Sequence, residues 1–158
     1  MKDATGVVRE ASQADAPRIV SLINRAFAVE HFFKSGDRTN PEQVQQMMQD
    51  GKFLLLMERD EMVACMFVKV AGERAYLGTL SVDPARQKSG LAGRMMREAE
   101  DYCRNAGCNA LDIRIVNLRT ELPAIYRKFG FVETGTQSAE VIKNATQPIH
   151  FITMSKPL

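Results

Sequence analysis

Tryptophan is absent, and histidine and cysteine are scarce: two and three residues in a chain of 158. The cysteines, Cys65, Cys103 and Cys108, are odd in number and form no C-x-x-C pair. That argues against a disulfide framework and against a four-ligand zinc site. With only His31 and His150 to add, a metal enzyme lacks ligands. Charge of one sign is missing as well. Twenty-one basic and nineteen acidic residues leave a net charge of +2, too little for a strongly cationic nucleic-acid binder or a highly charged disordered tail. No apolar run approaches the ~18 residues of a membrane span, and the polar start MKDATGVVREASQADAPR has no signal-peptide core. The cytoplasm is the default compartment, and unpaired cysteines fit a reducing interior.

What is present is an ordinary globular composition, 45% hydrophobic and 25% charged, long enough for one domain spanning 1–158 without a staple. Helix and strand patterns alternate along it. A short strand is expected at 7–9. Ser12 with Asp15 three residues on is an approximate helix start, and Pro17 suits a first turn. Ile19, Leu22, Ile23, Ala26 and Phe27 then recur at helical spacing, so a helix should run to about residue 28. Residues 30–40 read as irregular and charged. Asn40-Pro41 opens a helix over 42–49 that Gly51 ends. Strands follow at 53–58, 62–70 and 74–82, joined by the turns Asp60-Glu61 and Gly72-Glu73, an antiparallel meander. A helix over 90–105, ended near Gly107, carries Leu91, Met95, Ala99, Tyr102, Cys103 and Ala106 on one face. The chain continues as a strand at 110–116, a helix at 121–129, a strand at 131–136, a polar loop at 138–148 and a last strand at 150–154. The class is α/β (α+β): a mixed, largely antiparallel central sheet of about six to seven strands, flanked by about four helices.

The chemistry concentrates after the third meander strand, in Ser81-Val82-Asp83-Pro84-Ala85-Arg86-Gln87-Lys88-Ser89-Gly90-Leu91-Ala92-Gly93-Arg94. Every residue from Gln87 to Gly93 has a backbone N–H, and the first four N–H groups of a helix lack internal partners. The helix dipole adds positive potential there. Gly90, Ala92 and Gly93 keep no bulky side chain between backbone and ligand. Together they form an anion cradle suited to a pyrophosphate, with Arg86, Lys88, Arg94 and Arg97 able to add charge. It is neither a G-x-x-x-x-G-K-[ST] loop, since Lys88-Ser89 precedes the glycine, nor a G-x-G-x-x-G fingerprint. The same segment also reads as a plain loop with Gly93 serving close packing.

Gln87-x-x-Gly90-x-Ala92 matches the Q/R-x-x-G-x-G/A signature, and on it the chain resembles the GNAT superfamily of N-acetyltransferases. Leu80-Ser81-Val82-Asp83-Pro84 resembles that family's fourth strand and its exit. Asn117, then Ala124-Ile125-Tyr126-Arg127-Lys128-Phe129-Gly130-Phe131, resembles its second cofactor motif. The resemblance implies acetyl-CoA bound between the fourth and fifth strands and an amine acceptor that attacks it directly. It places backbone groups near Leu80 to Val82 on the pantetheine arm and acetyl carbonyl, the 87–93 amides (Gln87, Lys88, Ser89, Gly90, Leu91, Ala92, Gly93) on the pyrophosphate with Arg94 beside them, Asn117 on the pantetheine, and Tyr126 near the sulfur as proton donor to the thiolate. It allows a homodimer and calls for no nucleic acid, membrane or metal.

A lysine-like amine with a pKa of about 10.4 is neutral roughly once in 10³ molecules at pH 7, a handicap of about 4–5 kcal/mol of barrier. A base is therefore wanted. Many family members carry a glutamate on the fourth strand, and residues 74–82 hold none. Glu30, His31 and Asp112 are the alternatives, with Glu30 preferred, each weighed against a solvated surface role. The stretch 30–39, with Phe32, Phe33, Asp37 and Arg38, is expected to shape the acceptor side and to suit an amine with an apolar or acidic portion. His150 is expected to pack in the last strand, and Cys108 to be partly exposed. An acyl-CoA sensor without catalysis is the competing reading.

Overall fold

The structure, a computed structural model, describes residues 6–158, so the first five residues of the polar start lie outside the described residues. Seven strands form one sheet: β1 (Val7–Glu10), β2 (Lys52–Glu58), β3 (Glu61–Ala71), β4 (Arg74–Val82), β5 (Ala110–Val116), β6 (Val132–Ser138) and β7 (His150–Pro157), in the spatial order β1-β2-β3-β4-β5-β7-β6. Four α-helices accompany it: α1 (Ala16–Ala26), α2 (Pro41–Asp50), α3 (Leu91–Asn105) and α4 (Leu122–Lys128). All neighbours pair antiparallel except β4 and β5. Among the described residues no helix is long and apolar enough to cross a membrane.

The expected elements are all there. The largest difference lies after α1. Its chain does not become irregular at residue 28 but tightens into a 3-10 turn over Phe27–Phe32 that buries Glu30. β7 runs three residues past the expected end, because it pairs with β5 along its whole length, Val116↔Phe151 to Ala110↔Pro157. β6 starts and ends later than expected and lies exposed at the sheet edge. His150 is exposed rather than packed, since it begins β7 at its open end, and Cys108 is buried beneath the turn after α3.

Alternation along β2 and β3 splits the core in two. Leu54, Leu56, Ala64, Met66 and Val68 face α3, where Met95, Met96, Ala99 and Cys103 cover them. Phe53, Leu55, Met57, Cys65 and Phe67 face the opposite way, onto Ile19, Leu22 and Ile23 of α1 and Val44 of α2. A strand buried on both faces reads as a continuous apolar run, as β3 does. Each fully buried Ile, Leu or Phe contributes about 1.5–3 kcal/mol.

The start of α1 is fixed electrostatically. Ser12 N–H donates to Asp15 Oδ2 (2.7 Å), and Arg9 grips the same carboxylate through both terminal nitrogens at 2.8 and 2.9 Å. The Arg9 guanidinium, with the Ser12 amide, holds the Asp15 carboxyl well below the usual carboxylate range. A depressed native pKa adds stability that is complete above the unfolded value of about 3.9 and is lost as pH falls through the native one. Asp15→Ala should therefore lower stability by about 1–3 kcal/mol at pH 7. Urea unfolding at neutral pH checks this, and in acid the gap between variant and wild type should shrink.

Candidate active site

β4 and β5 run parallel, but only Arg74–Tyr76 pair with Ala110–Asp112. Beyond those three residues β4 stays with β3 and β5 stays with β7, so the two halves of the sheet part. The turn of β4 is built by a bulge. Cys65 pairs with Ser81 and Phe67 with Gly78, leaving Thr79 and Leu80 opposite the single Met66. Thr79 takes a left-handed φ of +47°, a conformation that a β-branched residue rarely adopts. Ser81 Oγ donates to the Thr79 carbonyl (2.8 Å) and pins the distortion. Parted strands lack a partner for their facing backbone N–H and C=O groups, which an extended ligand arm can pair.

A cavity of about 120 Å³ sits where the strands diverge. Leu77 to Leu80 of β4 and Ile113 to Val116 of β5 form its walls, and Tyr126 of α4 and Glu30 of the 3-10 turn line it. It adjoins a wider cleft of about 1160 Å³ on the α2 side, the two sharing Arg38, Tyr76, Gly78, Thr79, Arg114, Ile142 and Phe151. Gly78 matters by its size here, because a Cβ would lie 2.9 Å from the Tyr76 ring. Thr79 Oγ1 is the one buried side-chain oxygen or nitrogen without a hydrogen-bond partner among the described residues. It marks where a ligand carbonyl or amide would complete the site.

The two catalytic candidates, Glu30 and Tyr126, thus meet in one cavity although 96 positions separate them in the sequence. Glu30 is buried and bound through Oε2 to Arg119 (2.9 Å), which also binds Glu121. Burial pushes the Tyr126 phenol up to about 12, with Tyr76 adding to the effect and Arg119 opposing it. It therefore stays protonated at neutral pH. Its ring stands edge-on to Phe129 and Phe131. Of the other base candidates, His31 is exposed. Asp112 is taken up by Arg74 (2.6 and 2.9 Å) and Ser155 (2.6 Å), which hold its carboxyl below the usual range. Burial pushes the Cys65 and Cys103 thiols up to about 12, so neither is a ready thiolate.

β4 leads through a 3-10 turn, Pro84–Arg86, into the cradle. Lys88 (φ +69°) and Gly90 (φ +83°) are both left-handed. Gly90 precedes α3 with no side-chain cap, and the first intrahelical bond is Arg94 N–H to the Gly90 carbonyl (3.1 Å). The amides ahead of Arg94 in the first turn are therefore open to a ligand. Gln87, Lys88 and Ser89 are exposed, while Leu91, Ala92 and Gly93 are half-buried where α3 begins. Leu91, Leu80 and Val82 pack against the sheet core.

Other expected cofactor contacts sit elsewhere. The Arg94 guanidinium donates to the Gly6 carbonyl (2.7 Å) and ties α3 to β1 instead of facing the loop. Arg86 lies among Glu58, Glu61 and Asp83, a set of carboxylates that neutralises it. Ser81 is buried, its hydroxyl spent on the bulge, so only its backbone belongs to the site. Asn117 Oδ1 accepts from the His150 amide (2.9 Å), which makes this side chain a clasp between β5 and β7. Thr79, Tyr76, Arg114 and Arg119 were missed, while Lys34 falls within the stretch 30–39 expected on the acceptor side. Only Arg114 had a local signal, the polar position between Ile113 and Ile115 on an alternating strand.

A splayed sheet, an orphan hydroxyl at its fork and an uncapped helix start leave polar groups without partners around one cavity and the loop that leads from it. Comparison with known proteins supplies the family. The model of the acetyltransferase (GNAT) domain matches residues 18–157, and the chain belongs to the GNAT acetyltransferase family, whose co-substrate is acetyl-CoA. Streptothricin acetyltransferase of Streptomyces lavendulae is 28% identical over 85 residues, covering 54% of this chain and 45% of that one. Glucosamine 6-phosphate N-acetyltransferase 1 of Oryza sativa subsp. japonica is 32% identical over 71 residues, covering 45% and 41%. The alignments thus span less than half the length of these curated relatives. Among solved structures, the ribosomal-protein-S18-alanine N-acetyltransferase of Escherichia coli superposes with a TM-score of 0.79 at 18% identity, over 96% of this chain and 93% of that one. A GNAT family acetyltransferase of Elizabethkingia anophelis with acetyl-CoA bound gives 0.78 at 17% identity, over 99% and 100%. At these identities the likeness is one of fold.

Gly90→Ala should cost about 1–2 kcal/mol of stability through its left-handed φ. It should also weaken acetyl-CoA binding, since a shifted loop misaligns the amides. Urea unfolding and a cofactor titration followed by melting temperature check the two effects.

Proposed function

We propose that this chain is an N-acetyltransferase that moves an acetyl group from acetyl-CoA to a primary amine by direct attack within a ternary complex. The observation that carries the reading is the convergence of Glu30 and Tyr126 on the cavity where β4 and β5 part. Acetyl-CoA supplies a thioester carbonyl. The amine nitrogen bonds to its carbon as the carbon–sulfur bond breaks, and the sulfur leaves with the bonding pair. Tyr126 gives its proton to that sulfur. Because a thiol titrates near ~8.5, the donor assists a departure that is already feasible. Glu30 takes the proton the amine loses. Arg119 fixes the carboxylate through Oε2. The backbone of Leu80 and Val82 and the Thr79 hydroxyl hold the pantetheine and acetyl carbonyl. The amides of 87–93 hold the pyrophosphate, with the Lys88 side chain in the same loop. One domain spans 1–158, and its unpaired buried cysteines suit the cytoplasm.

Acetyl-CoA at ~100 times its Kd should add about 2.7 kcal/mol of stability, read as a rise in melting temperature. No rise at millimolar cofactor would overturn the reading. In a thiol-release assay, Tyr126→Phe and Glu30→Gln should each lower kcat by about 10²-fold, with the KM for acetyl-CoA little changed. A protein that binds acetyl-CoA but releases no thiol across a broad amine panel would instead be a sensor. Unchanged kcat in Glu30→Gln would reduce Glu30 to the holder of Arg119.

A further inference from the structure

We propose that the acceptor amine carries an anionic group, a carboxylate or a phosphate, that docks against Lys34, Arg38 and Arg114 in the wide cleft. The proposal rests on the transferase reading and names its substrate class.

Six cationic side chains and three carboxylates line that cleft. Arg74 and Asp112 neutralise each other in a bidentate pair. Lys34, Arg38 and Arg114 take part in none of the ion pairs found among the described residues. Lys34 is the telling residue. It is 2% exposed, and its ammonium, with three N–H donors, finds one acceptor, the Gly36 carbonyl at 3.5 Å. A buried charge normally sits with a partner. The backbone on both sides of this side chain is tied down, Lys34 being bridged to Ala145 while Thr146 N–H donates to the Phe33 carbonyl (2.7 Å). Burial and the like charge of Arg38 both push its amine below the usual lysine range, against weaker opposing pulls from Glu30 and Asp37. An anion in the cleft would offset both pressures by direct attraction.

The two arginines are held without being neutralised. Arg114 stacks over Phe151 (4.4 Å to the ring centroid) and Tyr76 (5.7 Å), and Arg38 over Phe27 (5.3 Å). Stacking fixes the guanidinium plane and leaves its N–H edge available for the fork-like geometry that carboxylates and phosphates share. The placement is productive. Arg114, Tyr76 and Thr79 line both the cleft and the cavity of Glu30 and Tyr126, so an anion seated on Arg114 leaves the same molecule's amine within reach of the thioester.

Thiol release with matched acceptors tests this: α-amino acids against their primary amides, and glucosamine 6-phosphate against glucosamine. The anionic member of at least one pair should show a kcat/KM about tenfold or more above its neutral partner, and the pair that responds identifies carboxylate or phosphate. Arg114→Gln should raise the acceptor KM about tenfold with kcat and the acetyl-CoA KM nearly unchanged. Lys34→Met should do the same if it folds, and the exposed Arg114 keeps the test valid if it does not. Equal or better use of the neutral partners, or a preference untouched by Arg114→Gln, overturns the proposal. If no amine releases thiol, melting temperature with saturating acetyl-CoA and added inorganic phosphate or glutarate decides. A rise in wild type that is absent in an Arg38→Gln, Arg114→Gln double variant upholds the anion site and counts against catalysis. No rise overturns the site. Failure of acetyl-CoA itself to shift the melting temperature strikes the transferase reading instead.

Discussion

Three residue pairs decide this structure. β4 and β5 are held together from Arg74 to Tyr76 and nowhere further, and everything that resembles a site depends on that short ladder. With a longer ladder the sheet would close and the backbone groups of both strands would satisfy each other. With none, the two halves would have no fixed angle. The bulge at Thr79 turns β4 away at the right residue, and β7 keeps β5 straight by pairing with all of it. The strain of a left-handed threonine is tolerated because Ser81 and the β3 ladder around it hold the bulge in place.

Charge is distributed with the same economy. Several arginines near the cofactor loop belong to the scaffold: Arg94 ties α3 to β1, Arg86 gathers carboxylates at the end of β4, and Arg119 holds Glu30 in the cavity wall. The uncapped start of α3 carries positive potential of its own. Lys34, Arg38 and Arg114, outside the ion pairs found among the described residues, line the wide cleft. A net charge of +2 is thus compatible with local positive surfaces, because many acidic residues are taken up by scaffold arginines.

Much of the fold was legible. Turn residues marked β4 and alternation marked β5 to the residue, and Asn40-Pro41 and Gly51 bounded α2 within one position on each side. The start of α3 was legible too, since Gly90 and the helix it precedes form a local pattern. Tyr126 and Glu30 could be nominated, but their meeting could not. The stretch 30–40 was legible only in part. It read as irregular and charged, which holds from residue 33 onward, but nothing local showed that Phe33 and Lys34 are buried against the 139–149 segment through contacts more than a hundred residues away. The cofactor arginines misled for a related reason: a long side chain can reach partners in several directions, and sequence spacing does not say which one it takes.

By itself the sequence determined the order and type of the elements and the glycine-led start of α3, because helical and strand periods and turn residues are properties of neighbouring residues. Only the tertiary structure decided where β4 leaves β5, which arginines hold the scaffold and which face a ligand, and that Lys34 is buried with its charge almost unpartnered. Those outcomes follow from register between strands and from packing across loops, where the partners are distant in the chain and the competing contacts differ by no more than a few hydrogen bonds.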